Sequence, residues 1–291
     1  MRLDQVDHRE NAEVCGLRMG LVGRGIGLSR TPAMHEAEAA AQGYHCTYEL
    51  LDKDAGINAE LPEILVRCEQ SGFSGLNVTF PFKQAVIPYL HQLSDAARRI
   101  GAVNTIVFRD GKRFGHNTDF WGFSQSLQRG LPDVSLDTVL LIGAGGAGAA
   151  VAHALIDLEV GDLLIADTRD GAAKTLALAS GPRARAIDDL FAAAAAADGI
   201  INATPAGMAS SPGMPIEPSL IEARHWVADI VYFPLETELL KLARERGCRT
   251  LGGEGMAVFQ AVRAFELFTG RPADANRMRA TFRSFGGGEG A

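Results

Sequence analysis

"TVLLIGAGGAGAAVAHALIDL", residues 138–158, decides how the chain is read. An apolar run of strand length stops at a glycine cluster, and an alanine-rich run of helical character follows at once. Gly143, Gly145 and Gly148 stand in the GxGxxG pattern at that junction. Alone, the pattern fits many glycine-rich turns; between a strand and a helix it fits a dinucleotide-binding loop. The glycines permit a tight turn and close backbone approach, and the helix N-terminus favours a pyrophosphate. Asp167 closes the next strand, "LLIAD", at the offset of about 20 residues where a carboxylate binds a ribose 2′-hydroxyl. A carboxylate there repels a 2′-phosphate, so NAD is favoured over NADP. Arg169, two residues on, is the complication, because it can turn towards a phosphate.

Outward from this loop the chain alternates. "DLLIAD", "GIINATP" and "HWVADIV" read as further strands, and "IDDLFAAAAAAD" as a helix whose alanines need no functional reading. Towards the N-terminus, "LRMGLVG", "YHCTYELLD" and "GLNVTF" read as strands, with "TPAMHEAEAAAQG" and "NAELPEILVRCEQSG" as the helices between them. Thr31 is placed at the first helix's N-cap, Pro32 in its first turn and Gly43 at its stop. The expected fold is α/β with two domains, an N-terminal α/β substrate-binding domain and a Rossmann dinucleotide-binding domain. The first takes residues 1–118 together with 256–291, of which 1–16 are a loose extension; the second takes 119–255. The helix "MAVFQAVRAFELFTG" is apolar on more than one face and is expected to pack back on the first domain. The crevice between the domains is the expected site.

Composition narrows the classes. The chain has 291 residues, 47% of them hydrophobic and 33 of them glycine, as in a soluble α/β protein. A net charge of -7 with no basic run argues against nucleic acid as a partner. Cys15, Cys46, Cys68 and Cys248 are dispersed without CxxC pairing, which fits reduced thiols. The histidines show no HExxH or other ligand spacing, so no metal is expected. Every apolar run is interrupted before it reaches membrane-spanning length. The opening "MRLDQVDHRENAEVCG" is polar, unlike a signal peptide. A cytoplasmic monomer or homodimer acting on a small molecule is expected.

Several short motifs place polar groups beside strand ends or glycines. They are Ser29 and Thr31 in "GLSRTPAMH"; Asn77, Thr79 and Lys83 in "NVTFPFK"; Asn104 in "GAVNT"; Asn117 and Asp119 in "GHNTDFWGF". Each has a plain alternative: a cap or turn former for Ser29, Thr31 and Asn117, a solvated surface residue for Lys83. Together they suit a small, polyhydroxylated, acidic substrate. No GxSxG or Ser/His/Asp set supplies a nucleophile. A dinucleotide and a polyol imply hydride transfer, which needs an acceptor for the hydroxyl proton. Lys83 is the candidate base, since desolvation by apolar neighbours favours the neutral amine. Asp119 opposes that effect and is suited to holding the lysine and the hydroxyl, or to sharing the proton.

These residues also carry a resemblance. "GLSRTPAMH", "GFSGLNVTFPFK", "IGAVNTIV", "GHNTD", "IGAGGAG", "NATPAGM", "DIVYFPLETELL" and "FQAVRAFELFTG" are similar, in order, to the shikimate dehydrogenase family, from about residue 17 to the C-terminus. The resemblance implies that Ser29 and Thr31 hold the substrate carboxylate and that Lys83 and Asp119 are the catalytic pair. It implies that Asn77, Thr79, Asn104 and Gln260 line the substrate and that Tyr232 reaches the pocket. It assigns the pyrophosphate to Gly143, Ala144, Gly145, Gly146, Ala147 and Gly148, and places Asn202, Thr204 and Met208 near the ribose and nicotinamide. Two departures are visible. The NADP-dependent members usually have "NR[TS]" after the second Rossmann strand, with another basic residue beyond; here "ADTRDG" puts Asp167 at the arginine's place and Gly171 at the second base's. The common "SLS" is "SRT", with Thr31 for serine. Both resemble the NAD-dependent quinate/shikimate dehydrogenase branch, which oxidises quinate and shikimate to their 3-dehydro products. An NADP-dependent biosynthetic shikimate dehydrogenase, or a non-catalytic dinucleotide or cyclitol sensor, are the alternatives.

Overall fold

The apolar runs become two six-stranded sheets, joined by helices that cover both faces of each. The computed structural model describes residues 16–57 and 59–285. The expectation for residues 1–15 lies outside them, and Gly16 already opens a strand rather than ending an extension.

The first sheet uses β1 (Gly16–Gly23), β2 (His45–Asp52), β3 (Gly75–Val78), β4 (Gln92–Leu93), β5 (Thr105–Arg109) and β6 (Lys112–His116). Their order is β2-β1-β3-β5-β6-β4. β1 lies parallel to β2 and β3, whereas β5 runs antiparallel to β3 and β6. The β5–β6 hairpin turns at Asp110 and Gly111, both with positive φ (52° and 66°), as a two-residue hairpin turn requires. Side chains alternate across β1: Leu17, Met19 and Leu21 pack on one face, and Val22 on the other with Leu76 and Ile64. Helices α1 (Thr31–Ala41), α2 (Leu61–Gln70), α3 (Phe82–Ala85) and α4 (Asp95–Ile100) belong to this half. Thr31 is the first residue of α1 and not its cap; Arg30 holds the N-cap position and makes no side-chain cap bond.

The helix α5 (Thr118–Gly130) leads into the second sheet, made of β7 (Thr138–Ile142), β8 (Asp162–Ala166), β9 (Ala184–Ala186), β10 (Gly199–Asn202), β11 (Trp226–Asp229) and β12 (Arg249–Leu251). All pairs are parallel, in the order β12-β11-β10-β7-β8-β9. The order reverses between β7 and β10, and in such sheets ligands bind outside the strand carboxyl ends at that point. Helices α6 (Gly146–Asp157), α7 (Ala172–Ser180), α8 (Leu190–Ala196) and α9 (Glu238–Glu245) complete this half. Val139 and Leu141 face α6, while Leu140 and Ile142 face the α8 side, so both faces of β7 are buried.

Two last helices, α10 (Glu254–Thr269) and α11 (Ala275–Ser284), return to the first sheet. Val258, Ala261, Val262, Phe265 and Phe268 pack with Leu17, Met19 and Leu21, whereas Met256 joins Phe123 and Leu127 in the second core. His35 of α1 is wholly buried beside Tyr48, Phe265 and Phe268. Burial lowers its pKa to about 3, so it is a neutral packing residue near neutrality. No helix among the described residues is long and apolar enough to cross a membrane.

The crossing of α5 and α10 fixes the two sheets relative to one another, and Gly122 permits it. A β-carbon there would lie 2.7 Å from the Met256 carbonyl oxygen and 2.9 Å from the Gln260 amide nitrogen. Gly122→Ala should therefore destabilise the protein by about 1–3 kcal/mol in urea unfolding, as overpacking of a close contact does. Gly16→Ala, where nothing among the described residues lies within 4 Å, should shift it by less than about 0.5 kcal/mol.

Candidate active site

The glycine loop joins β7 to α6 at the point of strand reversal. Gly143 has φ +109°, and a β-carbon on it would sit 2.6 Å from the Ala203 carbonyl oxygen. A β-carbon on Gly148 would collide with the Gly143 carbonyl, so this glycine sets the helix against the strand. Gly145 is different: it caps α6, and a β-carbon there would have only the Arg169 guanidinium at 4.0 Å. Ala144, Gly145, Gly146 and Ala147 are all partly accessible, and Gly148 is buried. The open middle of the loop, ahead of a 12-residue helix, fits a pyrophosphate approaching the backbone.

Asp167 stands just past the end of β8. Its Oδ2 accepts the Ala144 N–H at 2.6 Å, which ties the carboxylate to the glycine loop. Its Oδ1 accepts the Arg169 backbone N–H at 2.8 Å, and the Arg169 guanidinium donates to both oxygens at 3.1 and 3.0 Å. Burial acts to raise the carboxyl's pKa, but the Arg169 side chain and the two backbone donors outweigh it and lower it to about 2. The two residues that pull the cofactor preference in opposite directions are thus paired with each other, with the carboxylate against the loop and the guanidinium largely in solvent.

Lys83 and Asp119 come from different elements and meet. Lys83 lies in the one-turn α3 directly after β3, and Asp119 in the first turn of α5. Lys83 Nζ donates to Asp119 Oδ2 at 2.6 Å, with both side chains half-buried or better. Asn117 holds the start of α5, accepting the Phe120 N–H at 3.1 Å and donating to the Ala102 carbonyl at 3.1 Å. It is a cap, the plainer of its readings. The Lys83 stem faces the nucleotide loop: its Cδ is 3.7 Å from the β-carbon position of Gly146. Phe80 turns outward and is 73% exposed, so the first ring of the motif does not wall the lysine as its apolar setting suggested. The partner that decides the lysine's surroundings is a carboxylate.

The remaining polar residues divide into accessible and committed groups. Ser29 and Thr31 flank the start of α1, Ser29 Oγ accepting the Thr31 N–H at 3.3 Å. The hydroxyls of Thr79 and Tyr232 make no hydrogen bond among the described residues. Tyr232 is 43% exposed at the cleft. Protein atoms crowd it on several sides and raise its pKa above the ordinary value, with Lys83 lowering it and Asp119 raising it to smaller extents. Gln260 donates to the Ala257 carbonyl one turn back on α10. Asn77 and Asn104 are buried: Asn77 Oδ1 accepts from the Tyr48 hydroxyl at 2.8 Å, and its amide donates to Thr105 Oγ1 and the Asn104 carbonyl. Asn104 Oδ1 accepts the Thr118 N–H at 2.7 Å, and its amide donates to Thr118 Oγ1. Asn77 therefore has an acceptor lone pair left to offer and no N–H.

On the nucleotide side, Thr204 borders the loop, its methyl 3.0 Å from the Gly143 β-carbon position. Met208 is exposed and lines a cavity of about 320 Å³ with Phe233 and Thr237. Asn202 is fully buried. Its amide donates to the Ala206 carbonyl and to Asp229, and its oxygen accepts from Thr204. This gives it no surface for a cofactor; its place is under the loop, not against the ribose. Arg30, Tyr48 and Asp229 are the residues that sequence reasoning passed over. Tyr48 and Asp229 are joined to motif residues only by the fold, whereas Arg30 stands in plain view within "SRT".

Comparison with known proteins finds one family along the chain. The family description "Shikimate dehydrogenase substrate binding domain" matches residues 21–106, "Shikimate / quinate 5-dehydrogenase" residues 125–212, and "Shikimate 5'-dehydrogenase C-terminal domain" residues 253–281. A quinate/shikimate dehydrogenase (NAD(+)) of Corynebacterium efficiens is 48% identical over 91% of this chain and 97% of that protein. A shikimate dehydrogenase (NADP(+)) of Streptomyces avermitilis is 50% identical over 92% of this chain and 96% of that one. The quinate dehydrogenase of Corynebacterium glutamicum in complex with NAD superposes with a TM-score of 0.88 at 46% identity, covering 92% of this chain and 99% of that one.

The lowered pKa of Asp167 makes a pH prediction. A carboxyl depressed in the folded state contributes stability above its unfolded value near 4, and that contribution is lost as pH falls towards 2. Asp167→Asn should cost about 1 kcal/mol in denaturant unfolding at pH 6, a value reduced by solvent screening of the exposed Arg169. The gap from the wild type should shrink as pH falls below about 4 and close only below pH 2. A gap independent of pH would show that the ion pair contributes nothing.

Proposed function

The chain belongs to the shikimate dehydrogenase family, and on that premise we propose that it catalyses the reversible, NAD-dependent oxidation of the C3 hydroxyl of quinate and/or shikimate. The products are 3-dehydroquinate and 3-dehydroshikimate. The observation that carries this reading is the 2.6 Å Lys83–Asp119 pair, set facing Gly146 of the nucleotide loop. When bound, the nicotinamide supplies the hydride acceptor; the chain supplies the proton acceptor and the positioning.

Lys83 passes an Nζ proton along its 2.6 Å hydrogen bond to Asp119 Oδ2 and, as the free amine, takes the hydroxyl proton while the C–O bond becomes a carbonyl; Asp119 also holds Nζ in place. The ring hydride leaves towards the cofactor, so the step balances as one hydride and one proton. Ser29 and Thr31, at the start of α1, hold the substrate carboxylate, and their hydroxyls and the first-turn N–H groups are suited to an anion. Asn77 accepts from a ring hydroxyl through its remaining lone pair, with Thr79, Asn104, Tyr232 and Gln260 around the ring. The loop Gly143–Gly148 receives the pyrophosphate, with Thr204 and Met208 bordering the nicotinamide end.

NAD is favoured for a local reason. Asp167 is anchored on the Ala144 N–H, where a ribose 2′-hydroxyl would donate to it and a 2′-phosphate would be repelled. Relatives named for NAD and for NADP are almost equally identical to this chain, so overall similarity does not separate them.

Addition of quinate or shikimate to the protein with NAD should produce NADH; absence of turnover with both would overturn the reading. Lys83→Ala should lower kcat by roughly 10²–10⁴-fold, the usual worth of a positioned base, with a much smaller change in KM. Unchanged kcat with a raised KM would make Lys83 a binding residue only.

A further inference from the structure

Arg30 lies between the two residues assigned to the substrate carboxylate, yet its side chain is used elsewhere. It is only 9% exposed. Among the described residues its guanidinium makes one hydrogen bond, Nη1 donating to the Phe282 carbonyl at 3.0 Å. No Asp or Glu among the described residues pairs with it. Burying an unpaired cation is costly, so something other than a counter-ion must hold it there.

Aromatic faces do so. The guanidinium carbon is 4.7 Å from the centre of the Phe282 ring and 5.7 Å from that of Phe233. Phe282 is in α11, against the first sheet's core, whereas Phe233 follows β11 of the second sheet. Tyr232, next to Phe233, meets the Phe282 ring edge-on at 6.0 Å. One planar cation therefore joins the start of α1, the last helix and the segment that delivers Tyr232 to the cleft. Arginine suits this because it stacks and donates in its own plane at once, which lysine cannot do.

We propose that Arg30 is a positioning residue for the substrate. It clamps the N-terminus of α1, with Ser29 and Thr31, to the Tyr232–Phe233 segment of the nucleotide-binding half. Closing the cleft and setting the carboxylate site then become one event. This rests on the dehydrogenase reading of the cleft, and turnover by the wild type with NAD tests that reading separately, before any variant is made.

The test is steady-state kinetics with quinate and shikimate on Arg30→Met, Arg30→Lys and Phe233→Leu, each checked by thermal unfolding. Arg30→Met and Phe233→Leu should both raise KM for the cyclitol by roughly tenfold, about the worth of one desolvated cation–π contact, with KM for NAD within about twofold of wild type. Arg30→Lys should fail to restore the wild-type KM. If Arg30→Met does not fold, Phe233→Leu carries the test alone, since it removes the same contact from the other side. The proposal is overturned if Phe233→Leu leaves the cyclitol KM unchanged, if Arg30→Lys restores it in full, or if KM for NAD rises in parallel.

Discussion

The ion pair between Lys83 and Asp119 is the constraint around which the rest is arranged. Its two members are 36 residues apart in sequence and belong to different local structures. One follows a strand end in the first sheet; the other opens the helix that leaves that sheet. Asp119 sits in the first turn of that helix, where its side chain is held at the position Lys83 reaches. The pair must also face a cofactor loop built from the other sheet. That requirement explains the close packing of α5 and α10, because any gap at Gly122 would move the two halves apart. Lys83 touches the loop region only because both sheets present their strand ends to one cleft.

The cofactor side is governed by a second, smaller constraint. Asp167 serves the fold with the same oxygens proposed for the ribose, since the Ala144 N–H that fixes it belongs to the glycine loop. Arg169 completes the carboxylate's hydrogen bonding. Asp167 would hold a ribose diol at the same oxygens, and the exchange would cost Arg169 little, since its side of the pair is largely solvated. The proposed basis of the choice between NAD and NADP thus lies in one side chain, a difference that near-equal overall similarity does not register.

Much of the fold was legible in local patterns. The β7–α6 junction was clear because glycine spacing, strand length and helix start all lie within 21 residues of sequence. The parallel order of the second sheet followed from strand–helix alternation. The β5–β6 hairpin was not recognised, although Asp110–Gly111 carries the usual turn signal, and so the first sheet is mixed where only alternation was read. In the site, Lys83 and Asp119 were legible as a pair from their motifs and the family resemblance, while the 2.6 Å geometry of their contact comes only from tertiary packing. Asn202 shows the reverse error: its motif suggested a ligand contact, while the fold buries it in bonds to Asp229 and Thr204. Asn77 stands between, since Tyr48 claims one of its lone pairs and leaves the other. Arg30 was overlooked because its neighbours in sequence carried the chemistry and its aromatic partners lie 203 and 252 positions away, a separation no local pattern reveals.

The central claim is that this cleft oxidises a cyclitol with NAD because a carboxylate stands at the ribose. The most direct measurement is the ratio of kcat/KM for NAD to that for NADP, with quinate or shikimate as substrate, in the wild type and in Asp167→Ala. The account predicts a ratio well above one in the wild type and a collapse of at least tenfold in the variant, chiefly through lost efficiency with NAD and relief of repulsion to the 2′-phosphate. A wild-type preference for NADP, or a ratio that Asp167→Ala leaves unchanged, would contradict it.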